Sequence, residues 1–329
     1  MKEPFPIIDI LPDAPEADED LGTKEKFWYR HDNVNYLYKK TRQNTGEDWS
    51  EKIASELCSL LDLPHAIYEL APRHLNMKTL FLAWQDTHTR AWFPIGRLTF
   101  DGRKYEFLYT KGAFTAKNNC GFTGLLSFPD FNQVYTSVDV FPLFSNRLMR
   151  RSRPDYKNYI EWLNIPEGED DPITILSRSG GRKVTDKFEV FPAPQPDQNN
   201  SYHIHFFAHG LRHLPTCATE RINQLQPREL LYLAHEFQNP YDPKALLLCT
   251  RDHHIVGYCP RYLVDDILQL TNKNPQVVKV HVERVNPAPT PLQLRLLCNI
   301  TGECPENFRP FSGQEYQPII ADIPAGNIS

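Results

Sequence analysis

The sequence predicts an α+β protein that is mostly β, with a small β-barrel at its carboxy-terminal end and a β-rich region before it. Two observations support this class. Short runs of alternating apolar and polar residues recur along the chain, and clusters of Pro, Gly, Asn and Asp separate them. The helical patterns between these runs are few and short, so strands dominate the prediction.

Residues 1–76 form the first predicted region. Alternating aromatic and polar residues over 26–40 predict two strands joined at Asp32-Asn33. Apolar residues at three- and four-residue spacing over 49–62 predict a helix, and 66–70 predicts a return strand.

Residues 77–190 form a predicted β-rich domain. Its opening strands cover 77–86, 92–98 and 104–110, with Asp101-Gly102 as a tight hairpin signal. Residues 191–200 contain three prolines and no apolar periodicity, which predicts a linker.

Residues 201–300 form the last predicted domain, and 301–329 a tail. Strands are predicted at 203–207, 230–235, 245–249, 255–258, 277–282 and 292–300, with helices at 215–224 and 260–270. So many short strands within about 100 residues fit a small barrel of OB- or SH3-like size.

Composition narrows the class of protein. The 329 residues carry a net charge of −5 and contain no long apolar run, and the amino-terminal residues lack the apolar core of a signal peptide. The seven cysteines are scattered without a C-x-x-C pair, which favours reduced thiols in a cytoplasmic protein. Residues 201–300 hold ten basic against eight acidic residues. That balance argues against extended duplex binding but allows a compact site for one or two nucleotides.

The most informative motif is the turn Asn239-Pro240-Tyr241-Asp242, followed one strand later by Gly257 and Pro260-Arg261. Asn-Pro and Asp-Pro are turn formers, so Asp242 could simply accept a backbone hydrogen bond. Tyr241, however, would sit at an exposed tip where packing does not require an aromatic ring. The two elements together resemble the core signature of the HIRAN domain, a small β-barrel that grips the end of a DNA strand.

This resemblance implies a shallow pocket for a single-stranded 3′ end. In that pocket Tyr241 stacks on a base, and Asp242 accepts a hydrogen bond from the terminal 3′-hydroxyl, which a 3′-phosphate could not offer. Asn239 reads the sugar or a base edge. Arg261 and Arg212 neutralise flanking phosphates.

The segment from Gly210 to His213 matches the first-strand segment of the family. Eukaryotic members carry aromatic residues after the arginine, whereas His213 and Leu214 stand here. The departure removes a hydrogen-bonding phenol from the nucleic-acid site that Arg212 and His213 would complete.

Two weaker resemblances point to HipA-type kinases. Residues 21–76 resemble the start of their small lobe, where Lys39 and Glu51 occupy the places of the ATP-binding lysine and its helical glutamate. Residues 77–190 resemble their amino-terminal subdomain. No kinase catalytic loop or D-F-G motif follows, so Lys39 and Glu51 are interpreted as a degenerate nucleotide site. Helicase and nuclease motifs are absent as well, which predicts a protein that is not an enzyme.

A metal or cofactor is not predicted. His203, His205, His209, His213 and Cys217 lie close in sequence. Gly210 and Pro215 interrupt any helix that could align them, and zinc sites use ligands paired near one another. Solvated or nucleic-acid-facing histidines are the preferred interpretation.

Two functions are therefore compared. The leading one is a non-enzymatic protein that recognises single-stranded DNA 3′ ends, in repair or in defence against mobile elements. The alternative is a protein-interaction component of a bacterial HipA-type toxin–antitoxin system that docks on a separate kinase chain through its acidic ends and the arginine cluster 147–153.

Overall fold

The computed structural model describes residues 15–18, 26–31, 34–39, 47–68, 78–194, 201–303, 305 and 308–320. The chain divides into two compact units, Met1–Met77 (unit 1) and Lys78–Ser329 (unit 2).

Unit 1 contains a three-stranded antiparallel sheet and one helix. The elements are β1 (Pro15–Asp18), β2 (Lys26–His31), β3 (Val34–Lys39) and α1 (Glu47–Leu60), with sheet order β1-β2-β3. The predicted hairpin and helix are confirmed. The return strand is wrong over 66–68, which have no regular structure, and 69–70 lie outside the described residues.

Helix α1 buries an unexpected face. Lys52 and Ser55 are buried, and Lys52 forms an ion pair with Glu56 at 2.7 Å. Four of the apolar residues that predicted the helix are exposed instead, each with more than half of its surface accessible: Ile53, Leu57, Leu60 and Leu61.

Unit 2 begins with a five-stranded antiparallel sheet of order β7-β6-β5-β4-β8. Its elements are β4 (Lys78–Gln85), β5 (Trp92–Phe100), β6 (Tyr105–Tyr109), α2 (Lys111–Cys120), β7 (Tyr135–Ser137), α3 (Pro142–Ser145), α4 (Tyr156–Trp162), α5 (Pro172–Ser179) and β8 (Phe188–Pro192). Asp101 closes the β5–β6 hairpin, since its carboxylate accepts hydrogen bonds from the backbone N–H groups of Arg103 and Lys104.

A six-stranded antiparallel sheet of order β12-β11-β10-β13-β14-β9 follows. Its elements are β9 (Ser201–Phe207), α6 (Thr216–Gln224), β10 (Leu230–His235), β11 (Leu246–Cys249), β12 (Ile255–Tyr258), α7 (Arg261–Lys273), β13 (Val278–Val285) and β14 (Leu296–Glu303). The sheet curls until its edges meet. His209, just beyond β9, exchanges two backbone hydrogen bonds with Tyr258 of β12, at 2.9 and 3.0 Å.

The barrel core includes residues from outside the strands that form it. Phe81 and Phe191 pack with the barrel, and so do Phe308 and Phe311. The sequence placed Phe191 in a linker, but it lies in β8 and is fully buried. Phe308, Phe311 and Tyr316, which the sequence placed in a tail, are likewise part of this core. The domain boundaries themselves stay predictions.

The predicted α+β, mostly β class is confirmed, including a small curled sheet at the carboxy-terminal end. Within the described part of the chain, no helix has both the length and the apolar character needed to cross a membrane.

Candidate nucleic-acid interface

The turn between β10 and β11 is organised by its own first residue. The side-chain oxygen of Asn239 accepts hydrogen bonds from the backbone N–H groups of Tyr241 and Asp242, at 2.9 and 3.0 Å. Its amide nitrogen donates to Glu236. Asparagine favours such turns because its short side chain mimics a backbone turn. Asn239 therefore shapes the turn, and both ends of its amide are already bonded.

Arg261 holds the turn from the other side. It is the first residue of α7. Its Nε lies 2.7 Å from a carboxylate oxygen of Asp242, and one terminal nitrogen donates to the carbonyl of Tyr241 at 2.9 Å. The other terminal nitrogen donates to the carbonyl of Arg90 at 2.9 Å. A planar guanidinium suits this role because its donors point in fixed directions.

The corner that delivers Arg261 requires glycine at 257. The φ of Gly257 is +151°, and a Cβ there would lie 2.8 Å from the Cβ of Ala208. This close approach occurs where the barrel closes beside His209. The Gly257…Arg261 half of the motif is thus explained by barrel closure and by the anchoring of the turn.

Tyr241 projects from the turn with 70% of its surface exposed. The guanidinium carbon of Arg90 lies 5.7 Å from the centre of its ring, within the range of a cation–π interaction. Phe237, on the same loop, is 79% exposed and contacts the ring of His235. Exposed aromatic rings on one loop provide surfaces on which bases can stack.

Arg212 and His213 belong to a different segment from the 239–242 turn and Arg261. They belong to the short 3₁₀ turn Leu211–His213, are both exposed, and bond each other at 2.8 Å. Among the described residues, no hydrogen bond or ion pair joins them to the 239–242 turn. The structure thus brings together four of the six predicted interface residues, namely Asn239, Tyr241, Asp242 and Arg261.

A cleft of about 710 Å³ adjoins the turn. One wall carries Asp242, Arg261 and an ion pair between Lys244 and Asp265 at 2.6 Å. The facing residues come from outside the barrel strands: Trp92, Phe93, Pro94, Lys111, Phe114, Thr115, Gln314, Glu315, Tyr316 and Ile319. Its size falls within the usual range of ligand pockets.

Sequence reasoning missed Arg90, Lys111 and Phe237. Phe237 could have been predicted as a site residue, because it is an aromatic residue that lies close to the motif in sequence. Nothing in the sequence connects Arg90 and Lys111 to the turn that they approach, because they lie more than 100 positions from it.

The histidine series separates into different environments. His209 lies 3.5 Å from a carboxylate oxygen of Glu189, and burial lowers its pKa to about 4, with the nearby charge of Arg182 acting in the same direction. His205 instead pairs with Glu283. Over the described ranges, no group of three potential ligands is placed to hold a metal ion.

The arginine cluster 147–153 is largely engaged in internal contacts. Arg147 is buried, contacts both carboxylate oxygens of Asp186 and donates to the carbonyl of Gly181. Arg153 and Arg151 pair with acidic neighbours, Asp155 and Asp170 respectively. Arg147 thus acts as a structural residue within unit 2.

Lys39 and Glu51 belong to unit 1. Lys39 is the last residue of β3, and Glu51 lies in the first turns of α1. Their predicted pairing as a degenerate nucleotide site stays a prediction.

Comparisons with known proteins give a family match and two similar solved structures. A family model of the HIRAN domain matches residues 201–304. A crystal structure of a protein from Lactobacillus plantarum is 18% identical over 31% of this chain and 96% of that chain, with a TM-score of 0.25. The crystal structure of the HIRAN domain of human HLTF is 19% identical over 32% of this chain and 84% of that chain, with a TM-score of 0.23. No curated protein matches the chain.

Residues 201–304 are therefore a HIRAN domain, and a HIRAN domain suggests nucleic-acid binding. The two HipA-type resemblances gain no support from these comparisons. The HIRAN match covers about a third of the chain.

Proposed function

We propose that this protein binds single-stranded DNA at its 3′ end through the HIRAN domain, without a catalytic domain of its own. The observation that carries the proposal is the 239–242 turn, which presents a largely exposed Tyr241 beside a carboxylate in a backbone held from both sides. A rigid aromatic next to a hydrogen-bond acceptor suits a terminal nucleoside, whose base can stack while its hydroxyl donates.

The geometry refines the role of each residue in this proposal. Tyr241 supplies the stacking surface. Asp242 uses one oxygen for Arg261 and the other for the backbone N–H of Lys244. A carboxylate has about four lone-pair positions, so it can still accept a bond from a 3′-hydroxyl. Asn239 and Arg261 act by fixing the turn, and Arg212 is the remaining predicted phosphate contact.

Fluorescence anisotropy with 3′-hydroxyl and 3′-phosphate oligonucleotides tests the proposal. We expect tighter binding of the hydroxyl end, since a phosphate would meet the Asp242 carboxylate with like charge. Tyr241→Ala should weaken binding by about 5- to 150-fold, because stacking of a base on an aromatic ring contributes about 1–3 kcal/mol. Asp242→Asn should reduce the preference for the hydroxyl end.

Tyr232→Ala is the matched control, because Tyr232 is another exposed tyrosine of the same barrel, on β10. Its affinity should equal that of the wild type. Equal binding of the two ends by the wild-type protein would overturn end recognition, and an unchanged Tyr241→Ala variant would remove Tyr241 from the site.

A second candidate is docking on a HipA-type kinase chain in the cytoplasm, and one observation favours protein contact. Helix α1 exposes Ile53, Leu57 and Leu60, the last with 81% of its surface accessible. Exposed apolar clusters of this kind mark interaction surfaces. A pull-down of the full chain from its host should then recover a kinase, and a Leu57→Gln/Leu60→Gln variant should lose it. Recovery of no kinase by the wild-type chain would reject this candidate.

A further inference from the structure

The β4–β5 turn, which lies outside the HIRAN domain, is built to hold Arg90 at a defined place. Asp86 is buried at the start of this turn, and its carboxylate accepts hydrogen bonds from the backbone N–H groups of His88 and Thr89, at 3.2 and 2.6 Å. The carbonyl of Arg90 accepts from the side chain of Gln85 at 3.0 Å and from Arg261 at 2.9 Å. The turn is thus fixed to β4 and to the HIRAN domain at once.

The side chain of Arg90 extends from this turn over the ring of Tyr241, with 5.7 Å between the guanidinium carbon and the ring centre. Arg90 is exposed. Within the described ranges it forms no ion pair with a carboxylate. Its charge therefore lies beside the predicted stacking ring and is not neutralised there.

The other cations near the turn are already engaged. Arg261 contacts Asp242 and two backbone carbonyls, and Lys244 pairs with Asp265. A nucleotide stacked on Tyr241 carries a phosphate next to its base, and that phosphate needs a cationic partner. Among the described residues near the turn, Arg90 is a cation whose donors are not used by an acidic group.

Lys111 occupies a comparable position across the cleft. It is the first residue of α2, is exposed and lines the same cleft as Asp242. Its side chain forms no ion pair among the residues that the structure describes. Trp92 and Phe114 lie on the same wall and add aromatic surface.

We propose that the region before the HIRAN domain forms the second wall of its nucleic-acid site, with Arg90 contacting the phosphate beside the base on Tyr241 and Lys111 contacting a neighbouring phosphate across the cleft. This inference rests on the proposed function. It also gives a role to the hydrogen bond that Arg261 donates to the carbonyl of Arg90, because that bond sets the distance between the two walls.

The salt dependence of oligonucleotide binding tests the proposal. For single strands, the slope of log affinity against log salt changes by about 0.7 for each phosphate that a cation neutralises. Arg90→Gln should lower the slope by about that amount and weaken binding by about tenfold at low salt, and Arg90→Gln/Lys111→Gln should lower the slope by about twice as much. Arg90→Lys should restore the slope, because it keeps the charge.

Arg103→Gln/Lys104→Gln is the matched control for the double variant. It removes the same charge from the β5–β6 hairpin, about 26 Å away along β5 at the usual rise per residue. The control should bind like the wild type. Equal thermal unfolding temperatures of all variants establish that differences arise from binding. Arg90 has a φ of +58°, a conformation that is most strained for β-branched residues, and neither Gln nor Lys is β-branched.

The possible results separate the two proposals. If the wild-type protein binds 3′-hydroxyl oligonucleotides while the Arg90 and Lys111 variants behave like the 103/104 control, the second wall is rejected and the HIRAN site stands. If the wild-type protein binds no oligonucleotide, both proposals are rejected. A slope that falls with the Arg90 variants but not with the control supports the second wall.

Discussion

At the scale of single residues, Asp266 is a buried carboxylic acid that forms no ion pair with any residue in the described part of the chain. It lies on α7 with 6% of its surface exposed, and its carboxylate accepts the backbone N–H of Phe311 at 3.1 Å. Its pKa is raised to about 7, chiefly by burial and further by the charges of Asp265 and Glu315, while the hydrogen bond from Phe311 lowers it. The protonated acid is therefore the form that the fold prefers.

The pH dependence of stability follows from this shift. In the unfolded chain the pKa of Asp266 lies near 3.8. Between about pH 4 and pH 7 the folded state binds the proton more tightly, so the contribution of Asp266 to stability falls as pH rises through this range. The total loss is at most roughly 4 kcal/mol, because one pKa unit corresponds to about 1.4 kcal/mol.

Asp266→Asn should remove this loss. The amide has nearly the same shape, its oxygen can accept the N–H of Phe311, and it does not ionise. We expect the variant to be more stable than the wild type at pH 8 and similar at pH 4. Urea denaturation at both pH values measures this difference, and a variant no more stable at pH 8 than the wild type would contradict it.

At the scale of elements, the strands and the HIRAN turn could be read from the sequence because their causes are local. Alternation of apolar and polar residues placed β4, β5 and β6 within a few residues of their observed ends. Asn239 and Asp242 predicted the turn, because their side chains accept hydrogen bonds from backbone N–H groups only two or three residues further along the chain.

The elements that sequence reasoning placed wrongly depend on distant partners. Phe191 followed by prolines reads as a linker, yet its ring stacks on that of Tyr262 at 4.3 Å. Arg90 could not be connected to Tyr241, because only the folded β4–β5 turn brings the two together. Local patterns predict elements, whereas the second wall of the cleft is a product of their packing.

The corner after β12 provides a test at this scale. Gly257→Ala places a methyl group 2.8 Å from the Cβ of Ala208 and also strains the backbone at φ +151°. We expect a loss of about 2–4 kcal/mol in the free energy of unfolding, the sum of backbone strain and steric overlap. Urea denaturation measures the loss.

Gly121→Ala is the matched control, because Gly121 has a φ of +69° but open space around its Cβ position. It should cost only about 1 kcal/mol, the usual penalty for a side chain in the left-handed region. Equal losses in the two variants would show that the approach of Ala208 does not constrain the corner.

At the scale of the whole molecule, the core of the HIRAN domain includes residues of unit 2 that precede and follow the matched range 201–304 in sequence. The rings of Phe81 and Phe191 are 5.7 Å apart, and Phe311 meets both of them edge-on. Tyr316 stacks on Phe311 at 5.0 Å. These contributions come from β4, from β8 and from the segment after β14.

The segment after β14 also reaches the other sheet. The backbone N–H of Lys111 donates to Gln317, and that of Ile319 donates to Tyr109 at 3.0 Å. Lys111 and Ile319 also line the cleft beside Asp242. A short stretch of chain therefore connects the barrel, the five-stranded sheet and the candidate site.

This arrangement predicts that residues 201–304 do not form a stable domain alone. Removal of Phe81, Phe191 and Phe311 exposes the ring of Tyr262 and the apolar side of α7, and each lost phenylalanine costs about 3–5 kcal/mol. For the three rings together this is about 9–15 kcal/mol, which is comparable to the whole stability of a small domain, about 5–15 kcal/mol. A fragment of residues 78–320 keeps every one of these contacts and should unfold cooperatively. Thermal unfolding followed by circular dichroism distinguishes the two fragments. A cooperative transition of the 201–304 fragment at the temperature of the 78–320 fragment would show that the barrel does not need the surrounding aromatic residues.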